Sequence, residues 1–186
     1  VGFFNEDLVR TEDNEIHYRM REAGYKLCFD PDIISYQYTR SSLKAMLKQK
    51  YANGFWIGKT SRVCPKCLSI YHFVPFAFVS AIIASLLAIT GLGSVDGLMD
   101  KCTERNGRKR YDRGVIKKLK NIVVTLTIVM WALYGTLACT MAAVSSIKAG
   151  SKRNITNILL PVLFLMLHIS YGAGTIMGLM DKQVRG

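Results

Sequence analysis

Apolar and polar positions along the chain fall into two regimes. Beyond residue 72 three long apolar stretches dominate, at about 73–92, 122–147 and 158–180, and His168 is the only acidic or basic side chain in any of them. Each has about the 20 residues needed to cross a bilayer core, so about three transmembrane α-helices are predicted there. Before residue 73 the pattern is shorter. Ile16, Met20 and Ala23 recur at helical spacing and predict a helix that starts near Thr11 and closes at Gly24. Residues 25–29 and 33–38 are short aromatic and apolar runs on either side of Asp30-Pro31-Asp32, and they read as two strands or extended segments around a turn. After a cap at Arg40-Ser41-Ser42, residues 43–59 carry Leu43, Met46, Leu47, Tyr51 and Trp56 as apolar surface beside Lys44, Lys48, Lys50 and Lys59. A basic amphipathic helix with aromatic side chains suits the plane of a membrane interface. The expected organisation is therefore an α/β piece at 1–40, an amphipathic interfacial helix and linker at 41–71, and a membrane domain at 72–186.

Charge sharpens this division. The 186 residues carry a formal net charge of +12, yet residues 1–40 hold eight acids against Arg10, Arg19, Arg21, Lys26 and Arg40. Positive charge beside long apolar runs points to an anionic lipid surface, and no nucleic-acid recognition motif is present. Residues 101–120 hold nine Lys/Arg, whereas Lys148, Lys152 and Arg153 are the bases between the second and third stretches. With residues 1–40 on the cytoplasmic side, a fully crossing first stretch puts the more basic segment outside, against the positive-inside tendency. Either that tendency is overridden, or the first stretch, with Pro75, Gly91 and Gly93, is re-entrant. Five cysteines, an odd number, do not make a secreted disulfide framework and suit a reducing cytoplasmic face. The chain opens at Val1, without a signal peptide and inside a motif, so it is expected to be the C-terminal part of a longer protein.

Several residues could carry chemistry. Cys64-Pro65-Lys66-Cys67 is a CxxC, but a structural zinc site needs four ligands and no second pair completes one. Asp30-Pro31-Asp32 has the form of a metal-binding Asp-x-Asp, while its proline favours a plain turn. Gly174 and Gly178 form a GxxxG pair near His168, Ser170 and Tyr171, which suits the close approach of another helix. Thr11-Glu12-Asp13 places a possible cap and two carboxylates at a helix start, where the helix dipole favours negative charge. Asp13 then sits at the lip of that helix, within reach of a ligand.

Gly2-Phe3-Phe4-Asn5-Glu6, Thr11-Glu12-Asp13-Asn14-Glu15, Arg19 and Ala23-Gly24-Tyr25 resemble the acceptor-side motif of family 2 glycosyltransferases. Arg40-Ser41-Ser42-Leu43, Gln49 with Gly54 and Trp56, His72-Phe73-Val74-Pro75, and His168 through Thr175 extend the resemblance to membrane-bound bacterial enzymes of the succinoglycan-biosynthesis type. The resemblance implies the C-terminal end of a GT-A domain over residues 1–40. It implies an inverting transfer of a hexose from a nucleotide-diphosphate sugar to a polyprenyl-linked saccharide in exopolysaccharide biosynthesis, at the cytoplasmic side of the cell (inner) membrane. Asp13 is the implied general base, with Glu12 and Thr11 shaping its site. Gly2, Phe4, Asn5 and Glu6 are implied to line the acceptor pocket. Gln49 and Trp56 fall where processive relatives carry Gln-x-x-Arg-Trp, here with longer spacing and no Arg. A divalent metal, Mg or Mn, is implied for the complete enzyme, with its ligands and the nucleotide-binding strands upstream of this chain, and the isolated piece is expected to be inactive. The rival expectations are a non-enzymatic membrane scaffold or transporter subunit with a small cytoplasmic cap, and a zinc-dependent regulator built on Cys64 and Cys67.

Overall fold

Helix boundaries follow local chemistry closely. The computed structural model describes residues 1–106, 113–148 and 155–181. Its helices are α1 (Glu12–Glu22), α2 (Leu43–Val63), α3 (Val74–Asn106), α4 (Arg113–Lys148) and α5 (Leu160–Met180), with 3₁₀ turns at Pro65–Cys67, Ile70–Phe73 and Ile155–Leu159. Gly24, at φ +85°, ends α1. Its N–H donates to the Arg21 carbonyl and that of Tyr25 to Met20, both at 3.0 Å, which is the paired closure a left-handed glycine permits. Ser42 caps α2 by accepting from the Ala45 N–H at 3.2 Å. The next proline, Pro65, stands just past its end.

The α/β expectation for residues 1–40 is overturned. All regular structure among the described residues is helical, and no strand is present among them. Residues 25–40 carry no regular structure beyond the turn at 31–32, and every side chain is exposed, Phe29, Tyr36 and Tyr38 almost fully. Alternating apolar residues favour a strand only when a partner edge completes the hydrogen-bond ladder, and none of the described residues supplies that edge. The Asp30-Pro31-Asp32 turn does form. Asp30 Oδ1 accepts from the Asp32 N–H at 3.0 Å, so this carboxylate closes its own turn.

Among the described residues, three helical segments are long and apolar enough to cross a membrane, Ile70–Val95, Gly114–Lys148 and Asn157–Met180. They contain the three expected spans with a few residues added at the ends. α3 continues unbroken through Gly91 and Gly93. The basic segment 101–120 is helical on both flanks. Its centre at 107–112, and the stretch 149–154 with Lys152 and Arg153, lie outside the described residues. Hydroxyls within the apolar helices are satisfied locally: Ser85, Thr127, Thr136 and Thr140 each donate to the carbonyl four residues earlier, at 2.7–2.8 Å. At lipid depth, where water is not available as a partner, that pairing is required.

The chain forms two compact units, Val1–Val79 with Leu165–Gly186, and Ser80–Phe164. In the second, the turn Ile155–Leu159 packs on α4, and Ala138 and Ala142 are buried. The first unit is built on α2 and α5. A Cβ on Gly54 would lie 2.0 Å from the Tyr171 carbonyl oxygen, and one on Gly58 2.5 Å from that of Thr175. Reciprocally, a Cβ on Gly174 would lie 2.1 Å from the Tyr51 oxygen and one on Gly178 2.0 Å from that of Phe55. The two backbones are therefore in direct contact through glycine pairs at GxxxG spacing on both helices. Ser170 Oγ donates across the seam to the Leu47 carbonyl at 2.8 Å. At the far end Lys59 Nζ meets Asp181 Oδ2 at 3.1 Å, and Arg62 donates to the Asp181 carbonyl at 2.7 Å. Gly172 makes a similar approach to Pro75, at the start of α3.

This contact yields a position-specific expectation. Gly54→Ala and Gly178→Ala force backbone apart and should cost about 1–3 kcal/mol each. Gly91→Ala meets open space and should be neutral or stabilising by up to about 1 kcal/mol. Thermal unfolding of the detergent-solubilised variants measures the difference, and equal effects at Gly91 and Gly178 would contradict the contact.

Candidate active site

The Thr11-Glu12-Asp13 motif sits at the start of α1, but Thr11 does not cap it. Its side chain makes no capping bond to the helix, and its backbone lies at φ 68°, the left-handed region that a β-branched residue rarely occupies. The hydroxyl is used elsewhere. Thr11 Oγ1 donates to the Arg10 carbonyl and, 2.5 Å away, accepts from Oγ1 of the fully buried Thr60 on α2. Arg10 in turn donates to Asn53 Oδ1 at 2.7 Å. Two adjacent residues thus hold the start of α1 on α2, and the strain at Thr11 is maintained by those contacts.

Behind this start, Ile16 is buried as expected, Met20 is half-buried and Ala23 is exposed. Asp13 points to solvent, with Oδ1 accepting from the Asn14 N–H at 2.8 Å. Glu12 is half-buried, and its Oε2 is shielded from solvent with no hydrogen-bond partner among the described residues. Such an acceptor is costly to leave unmatched. The 1–8 segment is tied back to α1 by Arg19. This guanidinium bonds Glu15 in a fork, Nε to Oε1 at 2.7 Å and Nη2 to Oε2 at 2.9 Å, and also donates to the Val1 and Phe3 carbonyls. Hydrogen bonding to the buried Glu15 raises the Arg19 pKa above its ordinary value. Gly2, between those two carbonyls, takes φ +78°. Phe4 and Glu6 are exposed, and Asn5 Oδ1 accepts from the Asp7 N–H at 3.0 Å in a tight turn that buries Leu8.

Gln49 and Trp56 are half-buried on α2. With Asn53 and Thr60 they follow the i, i+4, i+7, i+11 spacing of one helical stripe, so they share the side of α2 that receives α1. Trp56 also packs edge-on to Phe55, and Lys59 Nζ lies 5.2 Å from its ring centre. Hydrogen bonds thus set Thr11 on Thr60 and Arg10 on Asn53, Gln49 and Trp56 share that stripe of α2 by register, and Asp13 stands exposed at the start of α1. Asn53 and Thr60, which complete the stripe, are not singled out by sequence motif. Their signal is their register with Gln49 and Trp56.

The Pro65–Cys67 turn packs against α1. Cys67 is buried there, and burial, with a hydrogen bond to Cys64 and the nearby Glu15 adding to it, pushes its thiol up to about 12. His72 directs Nδ1 to the Ser69 N–H at 3.0 Å. No group of three or more His, Cys, Asp or Glu able to hold a metal gathers among the described residues. The zinc alternative at Cys64 and Cys67 accordingly finds no third ligand there.

Comparison with known proteins gives one partial match. The chain is 32% identical, over 89 residues, to the dolichyl N-acetyl-alpha-D-glucosaminyl phosphate 3-beta-D-2,3-diacetamido-2,3-dideoxy-beta-D-glucuronosyltransferase of Methanococcus voltae. The match covers 48% of this chain and 26% of that relative, so the chain spans about a quarter of the relative's length. No family model matches, and no solved structure matches.

Cysteine reactivity tests the site's packing. A thiol is alkylated as thiolate, so Cys67 should resist iodoacetamide at pH 8 while exposed Cys28 reacts. The raised pKa also has a stability consequence. Folding favours protonated Cys67, and that contribution is complete below the ordinary value of 9.0 and lost as pH rises from there toward about 12. Peptide mass spectrometry after timed alkylation reads the order. Equal rates at Cys67 and Cys28 would contradict the buried turn.

Proposed function

We propose that this chain supplies the acceptor-side and membrane parts of an inverting glycosyltransferase, one that moves a hexose from a nucleotide-diphosphate sugar to a polyprenyl-linked saccharide. The supporting observation is an exposed carboxylate, Asp13, on a helix start pinned to α2, with α2 in backbone contact with the apolar α5. The named reaction of the Methanococcus voltae relative, glycosyl transfer onto a dolichyl-linked sugar phosphate, is in keeping with a lipid-borne acceptor. The proposal extends to exopolysaccharide assembly at the cytoplasmic side of the cell (inner) membrane, with the basic α2 at the interface.

In this mechanism Asp13 accepts the proton of the acceptor hydroxyl as its oxygen attacks the anomeric carbon. The bond from that carbon to the nucleoside diphosphate breaks, the diphosphate leaves with the electron pair, and the configuration inverts. A positioned base contributes about 10²–10⁴-fold to such a step. Glu12 and Thr11, at the same helix start, shape the site around it. Trp56 offers a ring face for stacking, with Gln49 one helical stripe away. Gly2, Phe4, Asn5 and Glu6 form the outer wall, held by Arg19. The described residues assemble no donor set for Mg or Mn, and Asp30 is committed to its own turn. In this proposal the divalent metal, Mg or Mn, belongs to the complete enzyme and its ligands lie outside this chain.

The full-length gene product in membranes, offered a panel of radiolabelled nucleotide sugars and lipid extract, tests the reading. Wild type should label lipid, and Asp13→Asn should lower transfer by about 10²–10⁴-fold. Unchanged transfer would remove Asp13 from the role of base, and no transfer with any donor would return the scaffold alternative. In the same assay Thr60→Val should lower kcat about tenfold by releasing the start of α1, while Thr60→Ser should stay near wild type. Equal loss in both Thr60 variants would show that the hydroxyl contact is not what positions Asp13.

A further inference from the structure

The first turns of α4 carry a feature that glycosyl transfer does not use. A shallow, open groove of about 480 Å³ lies on one face of this helix, lined among the described residues by Lys117, Lys118, Asn121, Ile122, Thr125 and Leu126, with Gly114 at its start. All six side chains are exposed. Their spacing repeats every three to four residues, so they form one stripe rather than a patch wrapped around the helix. Polarity along the stripe is graded. Two ammonium groups stand at its start, an amide follows, and the remainder is aliphatic apart from the Thr125 hydroxyl. From Lys117 to Leu126 the stripe runs about 13 Å along the axis. It begins at the edge of the candidate span Gly114–Lys148, and residues 101–120 carry nine Lys/Arg against Glu104 and Asp112.

We propose that this groove binds one anionic phospholipid. Lys117 and Lys118 meet the phosphodiester, Asn121 lies at the level of the glycerol esters, and Ile122 and Leu126 flank the upper acyl chain. Charge complementarity selects an anionic over a zwitterionic headgroup, because lysines at a membrane surface each favour anionic lipid independently of contact detail. The apolar lower half selects a lipid over a soluble phosphate, since a free anion gains nothing from Ile122 and Leu126. Among the described residues the groove is lined by α4, and it does not depend on the role of Asp13.

Native mass spectrometry of the full chain in detergent, titrated with phosphatidylglycerol or phosphatidylcholine, tests the site. Wild type should retain one phosphatidylglycerol in preference to phosphatidylcholine. The double variant Lys117→Ala/Lys118→Ala should bind it on the order of tenfold more weakly. Thr125→Trp keeps both lysines and fills the groove, so it should also lose the retained lipid if the groove, and not diffuse charge, holds it. The control Lys44→Ala/Lys48→Ala, on α2, should retain it. Retention in the Lys117/Lys118 variant, retention in Thr125→Trp, equal loss in the α2 control, or equal retention of the two lipids would each overturn the proposal.

Discussion

The contact of α2 with α5 through Gly54, Gly58, Gly174 and Gly178 is the constraint on which the first unit rests. No side chain larger than hydrogen fits at these four positions, because backbone carbonyls of the opposing helix occupy the space a Cβ would need. Between helices at lipid depth there is little hydrophobic drive, so association relies on close packing and cross-helix polar contacts. Both are present here. Glycines let the backbones meet, and Ser170 Oγ to the Leu47 carbonyl adds a hydrogen bond at one end. At the other end Lys59 and Arg62 close on Asp181. Lys59 also lies over the Phe55 and Trp56 rings, which ties the candidate stacking residue to the same clamp.

The opposite side of α2 carries the candidate chemistry. Left-handed backbone at a β-branched residue costs about 1–3 kcal/mol, and the bonds from Thr60 and Asn53 are each worth about 0.5–1.5 kcal/mol net. These magnitudes are comparable, so the conformation of Thr11 depends on α2 being in place. Without it, Thr11 would relax toward an ordinary cap, and Glu12 and Asp13 would turn with it. The Glu15–Arg19 fork performs the matching task for residues 1–3, through carbonyls rather than side chains. The site is therefore assembled from polar contacts, to backbone, to the Thr60 hydroxyl, to the Asn53 amide and within the Glu15–Arg19 pair.

Legibility in the sequence followed the length scale of each feature. The three apolar stretches were readable because composition over 20 residues is nearly sufficient to specify a candidate span, and the end of α1 at Gly24 was readable because left-handed closure strongly favours glycine. The partner of Gly174 and Gly178 was not readable from hydropathy. Gly54 and Gly58 lie among Tyr51, Asn53, Trp56 and Lys59, and that mixed setting reads as an amphipathic helix without naming a partner for its glycines. Residues 25–29 and 33–38 misled for the converse reason. Their alternation is a local property, whereas a strand exists only through a partner edge. Thr11 misled because capping preference is an average over helix starts, and here a tertiary hydrogen bond to Thr60 outweighs it.

A helix with two committed faces does more than either face alone. On one side of α2 the glycines leave almost no freedom to slide or roll against α5, since any displacement drives backbone into backbone. On the other side Asn53 and Thr60 lie about 10 Å apart along the axis and grip the adjacent residues Arg10 and Thr11. Two grips separated along α2 set the direction in which α1 leaves it as well as the point of departure. Direction matters because, among the described residues, the Asp13 carboxylate bonds only the adjacent Asn14 N–H, so its placement is inherited from α1. In the proposed enzyme the depth of the base relative to the bilayer is then set by α5 and transmitted through α2. An acceptor hydroxyl carried on a lipid anchor is confined to a narrow layer, and a base whose depth is fixed by a membrane helix meets it there without a search in the third dimension.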